Sequence, residues 1–136
     1  MTLRVNQLDH VNVQTTRLAE TVRFYADVLD LRVGDPPPPL DPGLVQWMFD
    51  AENRAIFHLT TPGSMVNMAQ INAADDTGAV HHVALDCSGY HEMIDRLDGK
   101  GVHHHENHVT AIDLRQIFVK DPNGVLLELN YRAGNH

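Results

Sequence analysis

At 136 residues, 43% of them hydrophobic and 21% charged, the chain is long enough to bury one good core, too short for two ordinary domains, and globular rather than disordered in composition. Its 18 acidic against 10 basic side chains, a formal charge of −8, leave no phosphate-neutralising surface for nucleic acid and no basic block for anionic lipid, so neither is expected as a partner. Cys87 stands alone, the opening MTLRVNQLDH carries no apolar signal core, and no run approaches the ~18 apolar residues of a spanning helix, so an intrachain disulfide is excluded and the cytoplasm is the expected location.

The first strand is expected at Leu8 to Val13, where Val11 and Val13 alternate with His10 and Asn12 and put His10 on the polar face. Thr15 and Thr16 are candidate caps for a helix whose stripe is Leu18, Val22, Tyr25 and Leu29, ending near Leu29. A short strand at Leu31 to Val33 leads into Gly34-Asp35 and Pro36 to Pro39, which cannot continue a ladder and favour an extended, stiff loop at the rim of a cleft. Strands over Val45 to Phe49 and Ala55 to Thr60, joined by the turn Asp50-Ala51-Glu52-Asn53, complete the order strand, helix, three strands. Residues 61–79, with Pro62-Gly63 and with Met65 and Met68 as packing residues, read as a linker.

The order then returns: strand Val80 to Asp86, helix Tyr90 to Leu97, a strand near Val102, strand Ile112 to Lys120, turn Asp121-Pro122-Asn123-Gly124 and strand Val125 to Tyr131. His103-His104-His105, with His108, reads as a solvated polar loop from which one imidazole could fold over the cleft as an acid or base. His81 falls on the opposite face from His82, as packing or surface. Cys87 lies beside a helix start, where a depressed pKa is conceivable, but is assigned no role.

The two halves share a register. An offset of 72 (82 − 10) carries His10 onto His82, and the same offset carries Leu18, Val22 and Tyr25 onto Tyr90, Ile94 and Leu97. An offset of 70 (128 − 58) carries His58 onto Glu128. The chain is therefore expected to be one domain, with module one at 7–60, linker 61–79 and module two at 80–131. Within Val125-Leu126-Leu127-Glu128-Leu129 a carboxylate is costly to desolvate without a compensating cation. His10, His82 and Glu128 are accordingly the expected ligands of one divalent metal ion, and His58 either the fourth ligand or a base. Two imidazoles and a carboxylate suit Fe, and Ni, Zn, Co or Mn as well.

Paired modules with donors on their first and last strands resemble the vicinal oxygen chelate superfamily, which includes glyoxalase I, extradiol dioxygenases, methylmalonyl-CoA epimerase and fosfomycin resistance proteins. The segments that carry the resemblance are Leu8-Asp9-His10-Val11-Asn12-Val13, Phe24-Tyr25, His81-His82-Val83-Ala84-Leu85 and Phe118-Val119-Lys120-Asp121-Pro122-Asn123-Gly124-Val125-Leu126-Leu127-Glu128. The resemblance implies an α+β fold of two βαβββ modules forming an eight-stranded, cup-shaped mixed sheet around the metal, a homodimer, and a small-molecule substrate chelating the ion through neighbouring oxygens. It implies isomerase or lyase chemistry first and an extradiol ring-cleaving dioxygenase second. A non-catalytic small-ligand binder, of the antibiotic-binding kind, is a third reading. Phe118 stands where the dioxygenase pattern has Tyr, and His108 is the nearest match to that pattern's leading His. His58 stands where glyoxalase I carries Glu.

Overall fold

The computed structural model describes residues 2–64, 78 and 80–136, so Met65, Met68 and most of the expected linker lie outside the described residues. By its internal contacts the chain divides into two compact units, Met1–Ile71 and Asn72–His136. The first holds β1 (Val11–Gln14), α1 (Leu18–Asp27), β2 (Arg32–Gly34), β3 (Val45–Phe49) and β4 (Ala55–Thr60). The second holds β5 (Val83–Asp86), α2 (Tyr90–Gly99), β6 (His104–Val109), a 3-10 turn (Thr110–Ile112), β7 (Leu114–Lys120) and β8 (Leu126–Tyr131). This is the expected α+β repeat of two βαβββ modules. Its eight strands pair within modules, as two four-stranded mixed sheets ordered β1-β4-β3-β2 and β5-β8-β7-β6, rather than as one continuous ladder.

In each sheet the module's first strand runs parallel to its last: β1 lies beside β4 with Asn12 opposite His58, and β5 beside β8 with Ala84 opposite Glu128. The remaining pairs are antiparallel. Both hairpins turn on the same device. Asp50 Oδ1 accepts from the N–H groups of Glu52 and Arg54, and Asp121 Oδ1 from those of Asn123 and Val125, so an Asp folded onto its own backbone closes each turn.

Strand alternation gives each sheet a greasy face and a polar one. In the first unit Val13, Met48, Phe57 and Leu59 are buried, and the Tyr25 ring of α1 packs against Phe57 at 4.6 Å between centroids. In the second, Ile117, Val119, Leu127 and Leu129 are buried, and Tyr90 at the start of α2 meets Tyr131 edge-on at 5.5 Å.

Several expectations shift for local reasons. Strands β1 and β5 each begin three residues late, because Leu8 (78% exposed) and Val80 (58%) find nothing to bury against. Neither Thr15 nor Thr16 caps α1. Thr15 Oγ1 instead accepts from the N–H of Arg17, itself the capping position, and the buried Thr21 hydroxyl donates to the Arg17 carbonyl. Helix α1 stops at Asp27 because Asp30 turns left-handed (φ 61) and the Leu31 N–H returns to the Tyr25 carbonyl, whereas α2 runs on to Gly99 before the left-handed Gly101 (φ 65). The proline run is not simply extended: a cis Pro38-Pro39 bond with the Leu40 N–H on the Pro37 carbonyl makes a type VI turn. His104 to His108 are in β6, not in a loop. An edge strand takes its backbone hydrogen bonds from one neighbour and stays wet, so it needs no apolar alternation and none marks it.

Cys87 departs from the depressed pKa that its place before a helix suggests. Burial, then the Asp86 carboxylate, pushes its thiol up to about 11. Two consequences are measurable. Alkylation by iodoacetamide at pH 8 should run roughly 100-fold slower in the folded than in the unfolded chain, since only the thiolate reacts. Because the folded pKa lies above the ordinary value of 9.0, the unfolded state loses its proton first as pH rises. Stability is thus complete below pH 9 and falls between about pH 9 and 11 in urea titrations, a fall that Cys87→Ala should diminish.

Candidate functional site

Each unit assembles one pair of the expected site residues on the polar face of its sheet. In the first unit His10 sits immediately before β1 and His58 lies on β4. Their rings stack at 3.6 Å between centroids and 13° between planes. On β3, Trp47 is the register partner of His58, and its ring stacks on His58 at 4.0 Å and 7°. His58 is thus clamped on the sheet between two aromatic planes. Burial, and then the like imidazole of His10, lower its proton affinity below that of an ordinary histidine, which keeps the ring neutral near pH 7.

The nitrogens of His10 are sorted by Asp9. Nδ1 lies 2.5 Å from Asp9 Oδ2. An ionised carboxylate only accepts, so Nδ1 carries the proton and the neutral ring presents the Nε2 lone pair as a donor to a metal. Rings stacked in this way do not serve one ion together: with centroids 3.6 Å apart and planes within 13° of parallel, their in-plane lone pairs do not converge on one point. A cleft of about 360 Å³ opens beside them, lined by Gln7, Asp9, Trp47, Arg54, Ile56 and His58.

In the second unit His82 sits immediately before β5, the same place that His10 holds before β1. Its Nε2 lies 3.8 Å from Glu128 Oε2. That separation is too long for a hydrogen bond and a few tenths of an ångström beyond the roughly 3.0–3.5 Å between neighbouring donors on one ion. The His82 Nδ1 is 3.0 Å from His81 Nδ1, so the exposed His81 holds the ring edge turned away from Glu128. The Glu128 side chain is 16% exposed, between Leu127 and Leu129, whose side chains reach the opposite face and are fully buried.

Among the described residues no three of His, Cys, Asp and Glu group closely enough to hold a metal ion, so the four expected residues appear as two pairs, one in each unit. Taken unit by unit, the donors suit a borderline divalent ion: in the first an imidazole whose Nδ1 is held by Asp9, in the second an imidazole and a carboxylate already oriented by a neighbour.

Four other residues share these faces. Trp47 pairs with His58 and Phe118 pairs with Glu128, so the module repeat puts an aromatic beside each last-strand donor. His105 on β6 is opposite Phe118 and therefore on the Glu128 face, and Asn130 donates to Glu128 Oε2 at 3.1 Å. His108, by contrast, alternates onto the other face and is held by Asp113 Oδ1 at 3.0 Å. A period of two counted from Glu128 would have found Asn130; Trp47 and His105 needed the strand register.

The model of the Glyoxalase/Bleomycin resistance protein/Dioxygenase superfamily matches residues 7–129. The chain is 25% identical over 129 residues to the mitochondrial methylmalonyl-CoA epimerase of Dictyostelium discoideum, an alignment covering 92% of this chain and 78% of that one. Its fold is similar to that of a glyoxalase/bleomycin resistance protein/dioxygenase from Nocardioides, with TM-score 0.69, 16% identity and coverage of 99% and 89%. It is similar also to the genomically encoded fosfomycin resistance protein of Listeria monocytogenes, with TM-score 0.67, 15% identity and coverage of 93% and 91%. In module order and in sequence alike, the chain belongs to the Glyoxalase/Bleomycin resistance protein/Dioxygenase superfamily.

Proposed function

We propose that the chain is a divalent-metal-dependent isomerase or lyase of this superfamily, working as a homodimer on a small substrate that chelates the ion through vicinal oxygens. His10, His82 and Glu128 are the ligands in this reading and His58 is the base. The bound ion supplies Lewis-acid polarisation of a substrate carbonyl. The observation that carries the reading is the His58 clamp. A neutral imidazole, fixed between His10 and Trp47 at the wall of a cleft, is built to take a proton from carbon next to a polarised carbonyl and return it to the same or a neighbouring atom. Trp47 fixes the plane of that ring, and Asp9, by holding Nδ1, leaves Nε2 as the donor of His10.

Ring-cleaving oxygenation is the weaker reading. The side chain beside Glu128 is Phe118, which offers no hydroxyl, and His108 lies on the opposite face with Asp113.

The test is hydrogen exchange. Full-length protein loaded with Ni(II), Zn(II) or Fe(II) under nitrogen is mixed in D₂O with 2-oxoaldehyde thiol adducts and, since the Dictyostelium relative is a methylmalonyl-CoA epimerase, with a malonyl thioester. Proton NMR should show metal-dependent loss of the carbon-bound hydrogen, slowed roughly 10²- to 10⁴-fold by His58→Gln with metal content unchanged. Undiminished exchange in that variant removes His58 as the base; oxygen uptake with catechols would move the assignment to the dioxygenase.

A further inference from the structure

The Glu128 carboxylate is the end point of a chain of amides that crosses three strands of the second sheet. Asn107 on β6 donates from Nδ2 to Gln116 Oε1 at 2.8 Å. Gln116 on β7 donates from Nε2 to Asn130 Oδ1 at 3.1 Å, and Asn130 on β8 donates from Nδ2 to Glu128 Oε2 at 3.1 Å. Asn107 and Gln116 are register partners, as are Gln116 and Asn130, so the ladder itself brings the side chains into line.

The direction of this chain is dictated by chemistry. An ionised carboxylate can only accept. Asn130 must therefore turn its NH₂ to Glu128 and its oxygen to Gln116. Gln116 must then present its own NH₂ to Asn130 and its oxygen to Asn107. One anion orients three amides in series, and dipoles aligned head to tail reinforce one another. Asn130 is only 9% exposed, so its amide has little access to water as a substitute partner.

We propose that Asn130, aligned by Gln116 and Asn107, is the positioning residue that sets the Glu128 carboxylate for metal binding. This rests on Glu128 being a ligand, as proposed above. The relay works without touching the ion, and its effect is transmitted from Gln116, whose amide reaches Glu128 through Asn130.

Gln116→Glu tests it with opposite signs for the competing explanations. The new carboxylate can only accept, so it competes with Glu128 for the single NH₂ of Asn130 and breaks the relay. It also adds a negative charge to the metal-binding face, which by simple attraction should tighten binding of a cation. Gln116→Met, of similar shape, removes the amide without adding a charge. Cobalt(II) is titrated into the chelator-treated full-length protein and its variants, with affinity and the visible absorption of bound cobalt as readouts and apo-protein melting temperatures as the check on folding.

The relay predicts that Gln116→Glu weakens cobalt binding about 10-fold and alters the cobalt spectrum, the size typical of losing a partner that orients a ligand, with Gln116→Met weaker than the wild type by a smaller factor. Equal or tighter binding in Gln116→Glu, with Glu128→Ala still much weaker than the wild type, overturns the relay and leaves the metal assignment standing. Wild-type binding no better than that of Glu128→Ala overturns both. Should Gln116→Glu fail to fold, Asn107→Asp on the exposed edge strand repeats the test one link further out, where a folded variant with unchanged affinity and spectrum also overturns the proposal.

Discussion

Glu128→Ala and His82→Ala should each cost at least about 100-fold in divalent-metal affinity, because partners that merely orient a ligand already account for roughly 10- to 100-fold. The measurement is metal content by elemental analysis after gel filtration, beside cobalt(II) titration of the apo protein. One equivalent per chain is expected for the wild type. Full occupancy in either variant refutes the site. Glu128→Ala should leave the fold intact, since its partner Asn130 keeps a second link through Gln116 and the buried neighbours Leu127 and Leu129 are unchanged. His58→Gln is the contrasting variant. Its ring stacks face to face with His10 and is not aimed at an ion with it, so metal content should stay near the wild-type level while proton transfer is lost.

The largest effect on stability should come from Phe57→Ala. Phe57 is 1% exposed, precedes His58 on the same strand, and faces the opposite way onto the Tyr25 ring of α1. Truncation removes a full aromatic from a close-packed layer and leaves a cavity, for a loss of about 3–5 kcal/mol in urea unfolding at neutral pH. A loss below about 1 kcal/mol would mean that the first unit's core does not rest on this contact. The two neighbours separate the two faces of one strand: Phe57→Ala should lower the unfolding midpoint greatly, and His58→Gln only slightly.

The strands with a dry face were legible in advance. Val45 to Phe49 and Ala55 to Thr60 occur at the expected bounds, because alternation and a turn-forming Asp mark both ends. Strand β6 was expected only as a strand near Val102, and its true place was not legible. His104 to Val109 is polar on both faces, and its backbone pairing with β7 is invisible to any pattern of side chains. The same blindness hid the amide relay, since Asn107, Gln116 and Asn130 are unremarkable apart and meaningful only in register. The cap of α1 was misplaced for a smaller reason: Thr15 does hydrogen-bond locally, but to the residue that precedes the first helical turn.

The amino-acid sequence by itself determined the module repeat, the pairing of His10 with His82 and of His58 with Glu128 as equivalent positions, and the family to which the chain belongs. The repeat and its equivalent positions follow from linear spacing, preserved within one short indel, and the family from the motifs matched over residues 7–129. The tertiary structure alone decided that His58 is clamped between His10 and Trp47, that Phe118 stands beside Glu128, and that Asn130 holds the carboxylate. Each depends on which residue of a neighbouring strand lies opposite, and that register is set by packing across the sheet.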